Sequence, residues 1–202
     1  MGVRLPLLAS AALLLGIATP AMAQDLPDGL GCMAASYDAE QQATIDELIA
    51  SYDASDETDS AKGDQLGEFA SNAALACFMA HDWTEDQVFQ AVLFEVGRLN
   101  EAAFRRSGPL PGDSLAKIDA ALAEEDRTEL WGLLERGVVA GMEGVDPGFT
   151  TRENFIMGMF ILGSGMPDAE ENAVSAGMIL GFMAMQRMSA REFAKAGAKA
   201  ER

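Results

Sequence analysis

The stretch from Glu153 to Met188 constrains the fold of this chain more than any other part of it. It contains two apolar runs, Phe155–Met166 and Ala173–Met185, which are joined by a turn with three carboxylates. Runs of 12 and 13 residues are too short to cross a bilayer, since a spanning helix needs about 20 apolar residues. They are typical of buried helices, so the sequence predicts a central helical hairpin with Thr151 as its N-cap.

The second run of this hairpin carries a stripe of small residues at helical spacing: Ala173, Gly177, Gly181 and Ala184. Glycine inside a helix costs about 1 kcal/mol relative to alanine, so the stripe indicates close approach of another backbone. The first run of the hairpin is the expected neighbour, because the connecting turn is short. The alternative is contact with the same stripe of a second copy.

The rest of the chain predicts amphipathic helices, with N-caps at Asp38, Thr84 and Ser189. No run of alternating β-branched residues is present. We therefore predict an all-α fold, a compact bundle of about six to eight short helices around the central Gly/Met-rich hairpin at 153–188. The clearest break is the Gly/Pro segment at 108–112, where a weak division into two halves would fall.

The first 23 residues have the pattern of a cleavable signal peptide. Arg4 is followed by an apolar run from Leu5 to Ala18, and Ala21–Met22–Ala23 forms a small-x-small cleavage signal. The sequence predicts a cut after Ala23, a single helical domain at 24–202, and a periplasmic or secreted location.

Two cysteines, Cys32 and Cys77, lie in the predicted exported domain. In an oxidising compartment an even pair favours one structural disulfide, which would join the N-terminal segment to the helix that carries Cys77. The alternative is two buried free thiols.

Charge limits the class of partner. Beyond residue 23 the chain has 32 acidic and 13 basic residues, which argues against nucleic-acid binding and permits a protein or peptide partner. The acidic loop 53–64 lacks the glycine and glutamate of an EF-hand, so a solvated turn is expected and weak calcium binding is the alternative. A basic stripe near the C-terminus consists of Arg187, Arg191, Lys195 and Lys199. It would lie on the acidic body, on an anionic membrane or in a partner's groove, and we expect no appreciable membrane binding.

Two constellations raise other chemistries. His81 is the only histidine and stands beside Asp82, yet no G-x-S-x-G motif accompanies it. Thioethers select Cu(I) or Ag(I), and the candidate ligands are Met157, Met159, Met183, Met185 and Met188. Methionine more often fills helical cores, which is the role expected here.

The leading hypothesis is therefore a non-enzymatic, exported helical binding protein with a protein or peptide partner and no cofactor. A soft-metal binding protein that uses the methionine cluster is the alternative. An enzyme built on His81 and nearby acids comes third.

Overall fold

The computed structural model describes residues 26–27, 29–53, 60–124 and 126–200. Within these ranges the chain forms eight α-helices and no strand, so the predicted all-α class is confirmed. The helices are α1 (Cys32–Ala35), α2 (Ala39–Ser51), α3 (Ser60–His81), α4 (Glu85–Ser107), α5 (Gly112–Ala123), α6 (Thr128–Glu143), α7 (Thr151–Gly163) and α8 (Ala173–Ala200). The predicted signal peptide and the middle of the acidic loop (54–59) lie outside the described residues, whereas 60–64 already belong to α3.

Helices α4 and α8 form the centre of the bundle and pack on each other more extensively than any other pair. They run antiparallel, since Gly97 of α4 lies beside Phe182 and Gln186, whereas Gln87 lies beside Gly197. A Cβ atom on Gly97 would come within 3.0 Å of Gln186 Cγ and 3.1 Å of the Phe182 carbonyl oxygen. Gly97 thus lies where α4 and the backbone of α8 are in close contact.

The remaining helices pack around the two ends of this pair. Helices α1 to α3 enclose apolar clusters in the N-terminal part, with Met33, Leu66 and Phe193 among the fully buried side chains. Helices α5 to α7 pack around the other end of α4 and the first half of α8, where Ile118 and Ile179 are buried. The predicted break at 108–112 connects α4 to α5.

The predicted disulfide is present and joins α1 to α3. The Cα atoms of Cys32 and Cys77 are 6.0 Å apart, and Cys77 is fully buried in the apolar face of its helix. The bridge closes the acidic segment and α2 into one covalent loop.

Helix starts follow the local sequence closely. Asp38 and Thr84 each form the predicted N-cap as part of a reciprocal capping box. The start of α7 differs by one residue, because Thr150 and not Thr151 is the cap, with its Oγ1 accepting from the Glu153 N–H at 3.3 Å.

The predicted helix start at Ser189 is wrong. Helix α8 continues from Ala173 to Ala200, and Ser189 is fully buried in its middle. A Ser-x-x-Glu pattern caps a helix only where the chain enters from outside it. Here neither proline nor glycine interrupts the chain after Gly181 until Gly197, and packing against α4 holds both halves in one helix.

The predicted contact between the small-residue stripe and the first helix of the hairpin is not observed. A Cβ atom on Gly177 or Gly181 would meet no atom within 4 Å, and α8 touches α7 only slightly. Of the stripe only Ala184 is fully buried, and it shares the buried side of α8 with Ala176, Ile179, Leu180 and Met183. Contact of the stripe with a second copy stays a prediction.

Candidate functional site

Helix α7 exposes an apolar face to solvent. Its residues from Phe155 to Leu162 are apolar on every side of the helix, and a helix of that kind is normally buried on every side. Phe160 is buried in the core, yet Phe155, Met159 and Leu162 are 64%, 48% and 52% exposed. Their spacing of i, i+4, i+7 places them on one side, which we call the α7 outer face.

No charge interrupts this face. The chain has no ionisable residue between Glu153 and the Asp168 of the following turn. Gly158 lies on the same side of the helix, and a Cβ atom there would meet nothing within 4 Å. The face is therefore a row of three large side chains with an open position beside its centre.

The first turn of α7 is held firmly to α6. The carboxylate of Glu153 accepts from the Thr150 N–H at 2.8 Å and from Arg136 at 2.7 Å. The Thr150 N–H, together with Arg136, lowers the pKa of Glu153 to about 2. The Arg136 guanidinium also lies over the Phe149 ring, 5.0 Å from its centroid. The helix is thus anchored at its N-terminus while its outer face remains free.

Exposed charges stand at both ends of the α7 outer face. At the N-terminal end Arg152 is exposed, with Glu129 at 3.5 Å. At the C-terminal end the turn before α8 carries exposed Asp168, Glu170 and Glu171. The ends of the helix therefore differ in charge.

The predicted basic stripe on α8 lies against the chain's own acidic and aromatic groups. Arg191 makes a bidentate pair with Glu135 of α6, at 3.0 and 2.8 Å. The Arg187 guanidinium lies 4.5 Å from the centroid of the Trp131 ring, and Lys195 pairs with Glu192 at 2.8 Å. Arg191 and Met188 also line an open depression of about 480 Å³ between α6 and α8.

His81 ends α3 and is exposed. Its ring stacks near Trp83, with centroids 6.1 Å apart, and it lines a depression of about 370 Å³ together with Ser36. The Ser36 hydroxyl donates to the Met33 carbonyl at 2.8 Å, and the His81 imidazole forms no hydrogen bond with another described residue. The geometry does not place a nucleophile, a base and an acid in one chain of hydrogen bonds here.

The five candidate methionine ligands face different surroundings. Met157 packs on the core whereas Met159 points outward, as expected for residues two apart on a helix. Met183 is buried with its sulfur 3.7 Å from an Arg105 guanidinium nitrogen, a position unfavourable for a metal cation. Met188 lines the α6–α8 depression and Met185 is half-buried on α8. Soft-metal binding stays a prediction for Cu(I) titration to test.

No group of three or more His, Cys, Asp or Glu side chains that would hold a metal ion is found in the described part of the chain. The segment 54–59 of the acidic loop is not among those residues. Calcium binding there stays an untested alternative.

Sequence reasoning missed a buried carboxylate on α4. Glu95 is fully buried and accepts from the Tyr37 hydroxyl at 2.9 Å and from Arg98 at 2.5 and 2.8 Å. Burial and then the neighbouring carboxylate raise the pKa of Tyr37, so its phenol remains a neutral donor. The i, i+3 spacing of Glu95 and Arg98 was the available signal.

A second polar network lies two turns further along α4. Arg105 donates to Glu101 at 2.6 Å and to both carboxylate oxygens of Asp119 on α5, at 2.8 and 3.1 Å. Gln186 of α8 donates to the other Glu101 oxygen at 2.5 Å. These groups satisfy one another and connect α4, α5 and α8, so we interpret both networks as structural.

The described helices include none that is long and apolar enough to cross a membrane. In comparisons with known proteins, no family model, no curated protein and no solved structure matches this chain.

Proposed function

We propose that this chain is an exported, non-enzymatic interaction protein and that its docking surface is the α7 outer face. The observation that carries the proposal is the exposure of Phe155, Met159 and Leu162 on a helix that is apolar all round. Scattered exposed apolar residues are normal on proteins, whereas a row on one uncharged helix face is typical of an interface.

The chemistry of the face fits a protein partner. Aromatic residues and methionine are enriched at the centres of interfaces, and charged residues are depleted there. Side chains at i, i+4 and i+7 are the pattern by which one amphipathic helix packs on another. The three side chains expose on the order of 300 Å² of apolar surface, which is comparable to the largest patch on many monomers.

Export is supported by two independent features. The N-terminal pattern of a signal peptide predicts transfer out of the cytoplasm. The Cys32–Cys77 disulfide is of the kind that persists in oxidising compartments.

The test is a selection of helical peptides displayed on phage against the purified protein. Enriched peptides should bind the wild type and lose affinity at least tenfold for Met159→Glu, because a carboxylate would enter the apolar contact. The matched control is Met79→Glu on α3, where the methionine is 76% exposed. Peptides that bind Met159→Glu as well as they bind the wild type would show that the docking surface lies elsewhere.

A further inference from the structure

We propose that the partner of the α7 outer face is a second copy of this chain, with two α7 helices packed antiparallel across a two-fold axis. The inference rests on the proposed function, because it assumes that this face is a docking surface. It goes further by naming the occupant.

The row of side chains on α7 is complementary to itself. Phe155 and Leu162 stand at equal distances from the midpoint of the row, which falls between Gly158 and Met159. In an antiparallel pair centred there, Phe155 of each copy faces Leu162 of the other. Met159 of each copy then faces Gly158 of the other, where a Cβ atom would meet nothing within 4 Å of its own chain. Each copy would thus place its Met159 side chain in the open position at Gly158 of the other copy.

Charge favours the same arrangement. Two copies of a chain with net charge −18 repel each other wherever their acidic surfaces meet, and this row contains no charge. Antiparallel packing brings Arg152 of each copy toward the turn of the other that carries Asp168, Glu170 and Glu171. Parallel packing would instead place Arg152 against Arg152 and the acidic turn against its copy.

The small size of the face favours a weak dimer. Two outer faces, each of on the order of 300 Å², together contribute roughly 600 Å² of apolar side-chain surface, which is below the area of stable specific interfaces and typical of weak, transient ones. We therefore expect a reversible dimer with a dissociation constant on the order of 10 µM, and not an obligate one.

The first experiment is sedimentation velocity on the purified protein over a concentration series. Wild type and the Met79→Glu control should dimerise alike, whereas Met159→Glu should weaken the dimer at least tenfold because two carboxylates would meet near the axis. Gly158→Leu separates association from folding. It should weaken the dimer by filling the open position, while its melting temperature stays equal to or above that of the wild type, because leucine favours the helix.

The second experiment tests the antiparallel register. The described residues contain no free cysteine, so an introduced thiol reports on one position. A tagged Phe155→Cys chain mixed with an untagged Leu162→Cys chain should form the mixed disulfide in excess over either symmetric product. An excess of the symmetric Phe155→Cys product would indicate parallel packing and would overturn the proposed arrangement.

A wild type that remains monomeric well above about 100 µM would overturn the dimer, because the expected affinity would then be missed by more than tenfold. A dimer that persists unchanged in the Met159→Glu variant would overturn the proposed arrangement as well. Peptide binding to α7 by a monomeric chain would refute this inference and leave the docking surface standing. Failure of both the dimer and peptide binding would refute both proposals.

Discussion

Replacing Gly97 with alanine tests the close contact between helices α4 and α8. The new methyl group would lie 3.0 Å from Gln186 Cγ and 3.1 Å from the Phe182 carbonyl oxygen. The carbonyl belongs to a helix backbone and cannot move alone, so overpacking should cost about 1–3 kcal/mol. Removing a helical glycine returns about 1 kcal/mol. We expect Gly97→Ala to be destabilising by about 1 kcal/mol.

The matched control is Gly181→Ala on the other central helix. A Cβ atom there would meet nothing within 4 Å, so this variant should be stabilised by about 0.5–1 kcal/mol. Urea unfolding followed by circular dichroism measures both, and the two variants should differ by about 2 kcal/mol, or by roughly 4–8 °C in melting temperature. Equal stabilities, or a more stable Gly97→Ala, would refute the close packing of α4 on α8.

Three further predictions concern stability. Tyr37→Phe should cost about 1.5–3 kcal/mol of unfolding free energy in urea, because it removes a hydrogen bond to the buried, charged Glu95. Replacing Cys32 and Cys77 by serine should cost about 3–4 kcal/mol through loop entropy, measured in the same way. The pKa of Glu153 is lowered from 4.5 to about 2, so its stabilisation is complete above 4.5 and is lost as the pH falls through about 2. Acid titration should therefore show a stability difference between wild type and Glu153→Gln at neutral pH that disappears near pH 2.

Helix starts and the disulfide were predictable because the residues that determine them are local or few. Asp38 and Thr84 cap the helices that follow them, and each does so through a residue three positions later. The two cysteines were the only pair available for a bridge in the predicted exported domain. The predicted start of a C-terminal helix at Ser189 was wrong, because burial against α4 overrides a pattern that is otherwise a good start signal.

The location of close helix packing was not predictable from glycine spacing alone. Gly177 and Gly181 form a regular stripe, yet they border open space. Gly97 is a single glycine between larger residues of α4, and it lies against the α8 backbone. A glycine permits close approach, but the side of the helix that receives a neighbour depends on how all the helices pack.

The candidate site was likewise only partly predictable from the sequence. The apolar run that became α7 was evident in the sequence, and burial on all sides was the natural expectation. Helices α5, α6 and α8 contact only one side of α7, and this packing determines which of its residues remain exposed. Residue type could not show that Phe155 is exposed and Phe160 is buried, because both are phenylalanines of the same apolar helix.

The acidic surface and the α7 outer face act together in this proposal. A chain with net charge −18 meets repulsion from its own copies over most of its surface, which opposes aggregation through exposed apolar residues such as Met79. Repulsion is weakest where charge is absent and where Arg152 approaches a partner's acidic turn. Charge would thus restrict self-association to the α7 outer face, and a few apolar contacts would determine the affinity of the dimer. For that reason Arg152→Glu should weaken the dimer without any loss of apolar area, and sedimentation of that variant would separate the two contributions.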